Sequence, residues 1–206
     1  MIEYIPFLLS LFFTPEISSA GDGETLYGVA KRTTPVYDAS NFPTMLGRKI
    51  FLNKDGLFMN HVFTAFPGSR FEIREQRRDR GYMIYRVTTG EYECRTGCWV
   101  DARFLSLTRV PPPARYRHMP TKREILRRLD KMIAQGLKYC WGCNTSAGIP
   151  DNLMLYGRGR RGHENYHWLM KGGDCSGILY EATDGTTPRD THDLIGYGRA
   201  VPIQRH

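Results

Sequence analysis

The sequence predicts an α+β protein in which a small all-β barrel or sandwich comes first and a helix-bearing half follows. Two observations carry this expectation. From Leu26 to Leu107, short apolar or aromatic runs alternate with turn residues, which is the signature of many short strands. Beyond Pro111-Pro112-Pro113 the apolar period changes, and Ile125, Leu129, Met132 and Ile133 recur at helical spacing behind Thr121-Lys122-Arg123-Glu124, a capping-box pattern. A length of 206 residues suits one large or two small domains, and 41% hydrophobic with 24% charged residues excludes a disordered, collagenous or disulfide-dense chain.

Taken in order, Ile5 to Phe13 is an apolar run broken by Pro6 and Ser10, and Ile17-Ser18-Ser19-Ala20 places small residues ahead of a cut after Ala20. Residues 1–20 therefore read as a signal peptide, too short to span a bilayer, and predict an exported protein of the periplasm or cell envelope. Losing Glu3 and Glu16 with it raises the formal charge of +8 by two. The strand candidates that follow are Thr34 to Tyr37, Lys49 to Leu52, His61 to Phe63, Arg70 to Ile73, Tyr82 to Val87 and Gly97 to Val100. Their order, with Pro35-Val36-Tyr37 opening, Gly97-Cys98-Trp99-Val100 late and Ala102-Arg103-Phe104-Leu105 as an exit, resembles a bacterial SH3-like domain over residues 21–110.

Proline lacks an N–H and stiffens the chain, so residues 111–120 read as a linker. Arg115, Arg117, His118, Lys122, Arg123, Arg127 and Arg128 there and just beyond read as a solvated linker and helix face. No zinc-finger spacing, RNP-type aromatic motif or glycine-rich phosphate loop accompanies the charge, so no nucleic-acid partner is expected. A helix from Thr121 stops at Gly136.

The stretch Gly172 to Gly185 predicts a second helix, with Asp174 as N-cap, Ile178, Leu179 and Ala182 as its apolar face and Gly185 as a left-handed stop. Cys175 then falls at the first helical position, where unpaired N–H groups and the helix dipole favour thiolate and hence nucleophilicity. Tyr139-Cys140-Trp141-Gly142, Asp174-Cys175-Ser176-Gly177 and Thr187-Pro188-Arg189 resemble, in type and order, the successive motifs of the NlpC/P60 family of cell-wall cysteine peptidases, over roughly Thr121 to Tyr197. The resemblance implies a papain-like α+β domain at residues 121–206. It makes Cys175 the nucleophile and Tyr139, Asp174, Ser176 and Arg189 candidates for binding substrate, with Trp141 packing the wall. The implied substrate is a peptidoglycan stem peptide, cut at the γ-D-glutamyl–diamino acid bond, with no cofactor and no metal.

Three features depart from the family pattern. Cys143 stands where the family has a second glycine, and an unusually long stretch, Asn144 to Gly173, reads as a loop shaping the groove. The third concerns the proton-shuttling histidine, which the family places well after the Pro-Arg element. His192 follows Arg189 too closely, His163 and His167 precede Cys175, and His206 is terminal. The resemblance therefore implies a carboxy-truncated chain without its catalytic histidine, or else a degenerate domain that binds peptidoglycan without cutting it. Five cysteines leave at least one unpaired. Cys94-x-x-x-Cys98 and Cys140-x-x-Cys143 admit a four-thiolate zinc site, or a disulfide between Cys94 and Cys98.

Overall fold

The computed structural model describes residues 25–47, 50–157 and 165–199. The expected signal peptide, His163 and His206 lie outside the described residues. Within them the protein is a mixed α+β structure whose main sheet is antiparallel. Seven strands, β1 (Leu26–Ala30), β2 (Thr34–Tyr37), β3 (His61–Ala65), β4 (Arg70–Asp79), β5 (Tyr82–Thr88), β6 (Cys98–Asp101) and β7 (Leu105–Thr108), stand in the order β3-β2-β6-β5-β4-β1-β7.

The sheet does not close into the expected barrel, since no described pairing joins its edges β3 and β7. It nevertheless curls strongly. Residues 31–33 alone connect β1 to β2, four places apart in the order. That link reaches at most ~14 Å, whereas four spacings across a flat sheet would need ~19 Å. The curl wraps an apolar interior of Val36, Phe63, Phe71, Ile84, Val100 and Phe104, each at most 1% exposed.

Of the strand expected at Lys49 to Leu52, the described residues Ile50 to Leu52 form no strand, and Phe51 is exposed. The Asn53 side chain accepts hydrogen bonds from the Asp55 and Leu57 amides, and Gly56 turns with φ 74°. This local turn outcompetes ladder pairing. A short helix unmarked by the strand pattern, α1 (Phe42–Met45), begins with Pro43 in its first turn and buries Phe42. The β4–β5 connection is a two-residue turn with both Arg80 and Gly81 at positive φ, the geometry that suits the twist of a hairpin.

The second half contains α2 (Lys122–Ala134), β8 (Asn144–Thr145), α3 (Pro150–Tyr156), α4 (Tyr166–Leu169), β9 (Gly172–Gly173), α5 (Gly177–Ala182) and α6 (Thr191–Ile195). The capping box forms as the pattern predicts: the Glu124 amide donates to Thr121 Oγ1 at 3.3 Å, and the Thr121 amide donates back to Glu124 Oε2 at 2.8 Å. Thr121→Ala should therefore cost about 1 kcal/mol, read as faster amide exchange in the first turn of α2 with the other elements unchanged. The apolar stripe is narrower than expected, because Met132 is buried while Ile133 is 76% exposed.

The two halves share one core. In the stretch expected as a loop shaping the groove, residues 144–157 and 165–173 clamp onto the sheet. Tyr37 donates to Asn152 Oδ1 at 2.8 Å, Asn152 donates to the Trp168 carbonyl, and Trp168 Nε1 donates to the Leu46 carbonyl. Tyr156 donates to Asp101, which is 1% exposed.

The basic linker is likewise not simply solvated. Arg128, Arg115 and Arg117 donate to the carbonyls of Ala182, Asp184 and Gly185 at 3.1, 3.0 and 2.9 Å. Three guanidinium groups thus satisfy the open carbonyls behind α5, where cations are electrostatically favoured. Arg115 and Arg117 also flank Glu91, a buried carboxylate from the loop between β5 and β6, which accepts from Tyr180.

Candidate functional site

Cys175 is exposed and is the free cysteine among the described residues. It lies just ahead of α5, which starts two residues later than expected. The local wiring still begins at Asp174: its Oδ1 accepts from the Gly177 amide at 2.7 Å, and its carbonyl accepts from the Ile178 amide. Gly177 is required here because a Cβ would stand 2.1 Å from the Cys143 carbonyl oxygen. The helix ends at Ala182, and Gly185 turns left-handed at φ 70°, as a stop at that position requires.

Strands β8 and β9 pair Asn144 with Gly173 and Thr145 with Gly172, and Tyr139 bridges to Gly173. This small ladder holds the Tyr139 to Cys143 segment beside the Cys175 segment. Tyr139 is 52% exposed and Trp141 41%. Partial burial, with the nearby Asp174 and Cys175, raises the Tyr139 phenol above its ordinary pKa, so it remains a hydrogen-bond donor at neutral pH.

Asp174, Ser176 and Arg189 form the floor and are engaged with one another. Arg189, 4% exposed, donates from Nη2 to Asp174 Oδ2 at 2.7 Å, from Nη1 to Asp174 Oδ1 and Ser176 Oγ, and from Nε to Asn144 Oδ1 at 3.0 Å. Asn144 in turn pairs with both backbone groups of Thr64 in β3, at 2.9 and 2.8 Å. Arg189 therefore ties the helix head to the sheet, and its guanidinium is occupied by protein partners at each of its three nitrogens.

The cleft over this floor has a volume of ≈ 270 Å³ and is lined by Tyr139, Trp141, Thr191, Val62 and Tyr92. A second depression of ≈ 510 Å³ shares Val62, Tyr92, Trp141 and Asp190 and continues to Asp38, Glu93, Arg95 and His192. The two make one groove running from Cys175 onto the β half. Val62, Tyr92 and Asp38 carry no motif and lie at least 83 positions before Cys175, so sequence reasoning had no signal for them.

The Cys175 sulfur lies 3.1 Å from Thr191 Oγ1. Among the described residues, no imidazole is hydrogen-bonded to it. His192 lines the far depression. His167 is half-buried, and that burial lowers its pKa.

His61 is fully buried between the halves. Its Nδ1 lies 3.6 Å from Cys143 Sγ and its Nε2 3.2 Å from Thr64 Oγ1. Burial first, and then the Arg189 charge, lower its pKa to about 4. The unfolded chain takes up this proton below about 6.5, the folded one only near 4. The group's contribution is thus present above pH 6.5 and lost as pH falls toward 4, in total roughly 3 kcal/mol. Unfolding free energies measured from pH 7 to pH 4 should show this loss, and His61→Gln should flatten it.

The sulfurs are paired as Cys94–Cys98 and Cys140–Cys143, so the four do not gather into one thiolate cage. The only metal-capable group of three among the described residues joins His61, Cys140 and Cys143. Alkylation without prior reduction should add one adduct per chain, and Cys175→Ala should abolish it; a second adduct on the intact protein would contradict the pairing. No family model, no curated protein and no solved structure matches the chain.

Proposed function

We propose that the chain carries the nucleophile and substrate groove of an exported cysteine endopeptidase acting on peptidoglycan stem peptides. In this reading the β half is an SH3-like module and the second half belongs to a papain-like peptidase of the NlpC/P60 type. The observation that supports it most directly is a free, exposed Cys175 at the head of a helix, with Tyr139 beside it, facing a groove that extends onto the β half.

The chemistry follows from these groups. The Cys175 sulfur attacks the carbonyl carbon of the γ-D-glutamyl–diamino acid bond. The Tyr139 phenol donates to the developing oxyanion, the C–N bond breaks, and the departing amine takes a proton from solvent, to which the Cys175 thiol has given its own. Water then hydrolyses the thioester. Asp174, Ser176 and Arg189 hold the helix head in place rather than touch the reacting atoms.

A second reading rests on the contact that Cys175 does make. Its sulfur meets a threonine hydroxyl rather than an imidazole, and a thiol without a proton carrier turns over slowly. The groove would then bind stem peptide in the periplasm or cell envelope without cutting it. Incubation with purified muropeptides, followed by mass spectrometry, separates the two. Cleavage at the γ-D-glutamyl bond that disappears in Cys175→Ala supports the peptidase. Affinity without cleavage, unchanged in Cys175→Ala, supports the binding module, and the absence of both rejects the peptidoglycan reading.

A further inference from the structure

The segment between Tyr139 and Asn144 brings two sulfurs and an imidazole together for a reason the peptidase reading does not supply. His61 Nδ1, Cys140 Sγ and Cys143 Sγ lie within 4.8 Å of one another. Cys140 is half-buried, whereas Cys143 and His61 are fully buried. They come from places far apart in the chain, β3 and the turn before β8, and meet where the two halves join.

We propose that reduction of the Cys140–Cys143 disulfide converts this cluster into a Cys2His site for a thiophilic d10 cation such as Zn2+. Three features of the cluster carry the inference. The donor set is right, since two thiolates and one neutral imidazole are the ligands such ions prefer over hard oxygen donors. The spacing is right as well. With Zn–S near 2.3 Å and Zn–N near 2.05 Å in tetrahedral geometry, an N···S edge is about 3.6 Å. The His61 Nδ1 to Cys143 Sγ separation is 3.6 Å. The C-x-x-C turn is closed by a hydrogen bond from the Cys143 amide to the Cys140 carbonyl at 3.1 Å, and its sulfurs need only move apart to about 3.8 Å, the corresponding S···S edge.

The third feature is the support behind the imidazole. Thr64 Oγ1 stands 3.2 Å from His61 Nε2. With the Nε2 proton donated to that hydroxyl, the Nδ1 lone pair faces the sulfurs, which is how a ligating histidine is normally oriented. Thr64 is itself fixed through both backbone groups by Asn144, so the imidazole is positioned before any ion arrives. A water completes the tetrahedron on the Cys140 side.

The steps balance. A dithiol reductant transfers two electrons and two protons to the disulfide, giving the Cys140 and Cys143 thiols and the reductant's own disulfide. The ion then displaces both thiol protons to solvent, sheds water ligands and takes the Nδ1 lone pair. In the reverse direction a disulfide oxidant takes two electrons from the two thiolates and two protons from solvent, becoming a dithiol, while the Cys140–Cys143 bond re-forms and the ion leaves, so occupancy follows the thiol redox state. Tyr139 and Trp141, which wall the Cys175 cleft, flank Cys140 directly, and Gly142 and Cys143 follow within the same turn.

The test uses the full chain with Cys94, Cys98 and Cys175 each replaced by serine, which removes every other thiol. Reduced anaerobically, freed of reductant and titrated with Zn2+ against a chromophoric chelator, it should bind one equivalent, and the oxidised protein none. Co2+ in place of Zn2+ should give sulfur-to-metal charge-transfer absorption and the visible bands of a tetrahedral site. Adding Cys140→Ser should weaken binding at least ~10-fold, and Thr64→Val should weaken it ~10-fold while keeping the tetrahedral spectrum. Should the triple-serine chain not fold, the same titration on the reduced wild-type chain against Cys140→Ser reads the same difference. Equal Zn2+ uptake by oxidised and reduced protein, a Co2+ spectrum without sulfur bands, or Cys140→Ser binding as tightly as its parent would overturn the proposal.

Discussion

Gly142→Ala should cost more than about 4 kcal/mol, a large share of the about 5–15 kcal/mol that ordinarily holds a protein folded. A Cβ at this position would stand 2.0 Å from the His61 carbonyl oxygen and 2.6 Å from its carbonyl carbon. Both atoms are backbone, so no rotamer change relieves the overlap, and the turn carrying Tyr139 and Trp141 would have to leave β3. Gly142 also sits at φ 70°, a conformation that adds about 1 kcal/mol for a residue with a Cβ. Gly56 separates the two effects, because it has φ 74° and a Cβ there would meet nothing within 4 Å. Gly56→Ala should lose only about 1 kcal/mol, and thermal unfolding of the pair reads the difference. Equal losses in the two variants would mean that the close approach of the halves at His61 does not exist.

Arg189→Met is the second large effect expected. It removes the partner of a buried carboxylate and leaves Asp174, Ser176 Oγ and Asn144 Oδ1 each short of a donor. Breaking a buried pair from one side costs about 3–5 kcal/mol, because the remaining charge stays desolvated. Combining it with Asp174→Asn should recover part of that loss, since the uncompensated charge is gone. Arg32 provides the contrast. It pairs with Asp151 at 2.7 Å, but its side chain is 45% exposed, so Arg32→Ala should change stability by no more than about 1 kcal/mol. Urea unfolding of the four proteins measures all of this. A loss for Arg189→Met as small as that for Arg32→Ala would show that the guanidinium is not the brace between the helix head and β3.

Both predictions concern residues that lie inside the motifs the sequence singles out, with partners that come from far along the chain. Arg189 stood out by its Pro-Arg setting as a candidate for a substrate carboxylate. Its burial depends on Asn144, 45 positions away, and on the Thr64 backbone that Asn144 grips. The pattern the sequence resembles has a second glycine where this chain has Cys143, and glycine suits a left-handed backbone. That demand falls one residue earlier, on Gly142, and its cause is His61. The linker arginines looked solvated because nothing near them in sequence needs a cation. Their partners are carbonyls at the end of α5, 54 to 69 positions on.

What could be read from residue order were features whose physics closes within a few residues. The capping box of α2, the left-handed stop at Gly185, the alternation that makes strands and the placement of Cys175 ahead of a helix are of this kind. Each depends on hydrogen bonds or steric limits spanning three to five positions, and these hold whatever the rest of the chain does. Only the tertiary structure decided that the sheet curls without closing and that residues 144–157 and 165–173 clamp onto it. It also brought Val62 and Tyr92 into one cleft with Cys175 and closed the His61 cluster between the halves. These outcomes depend on which buried groups find partners far along the chain, and a buried polar group accepts only a neighbour that three-dimensional packing delivers.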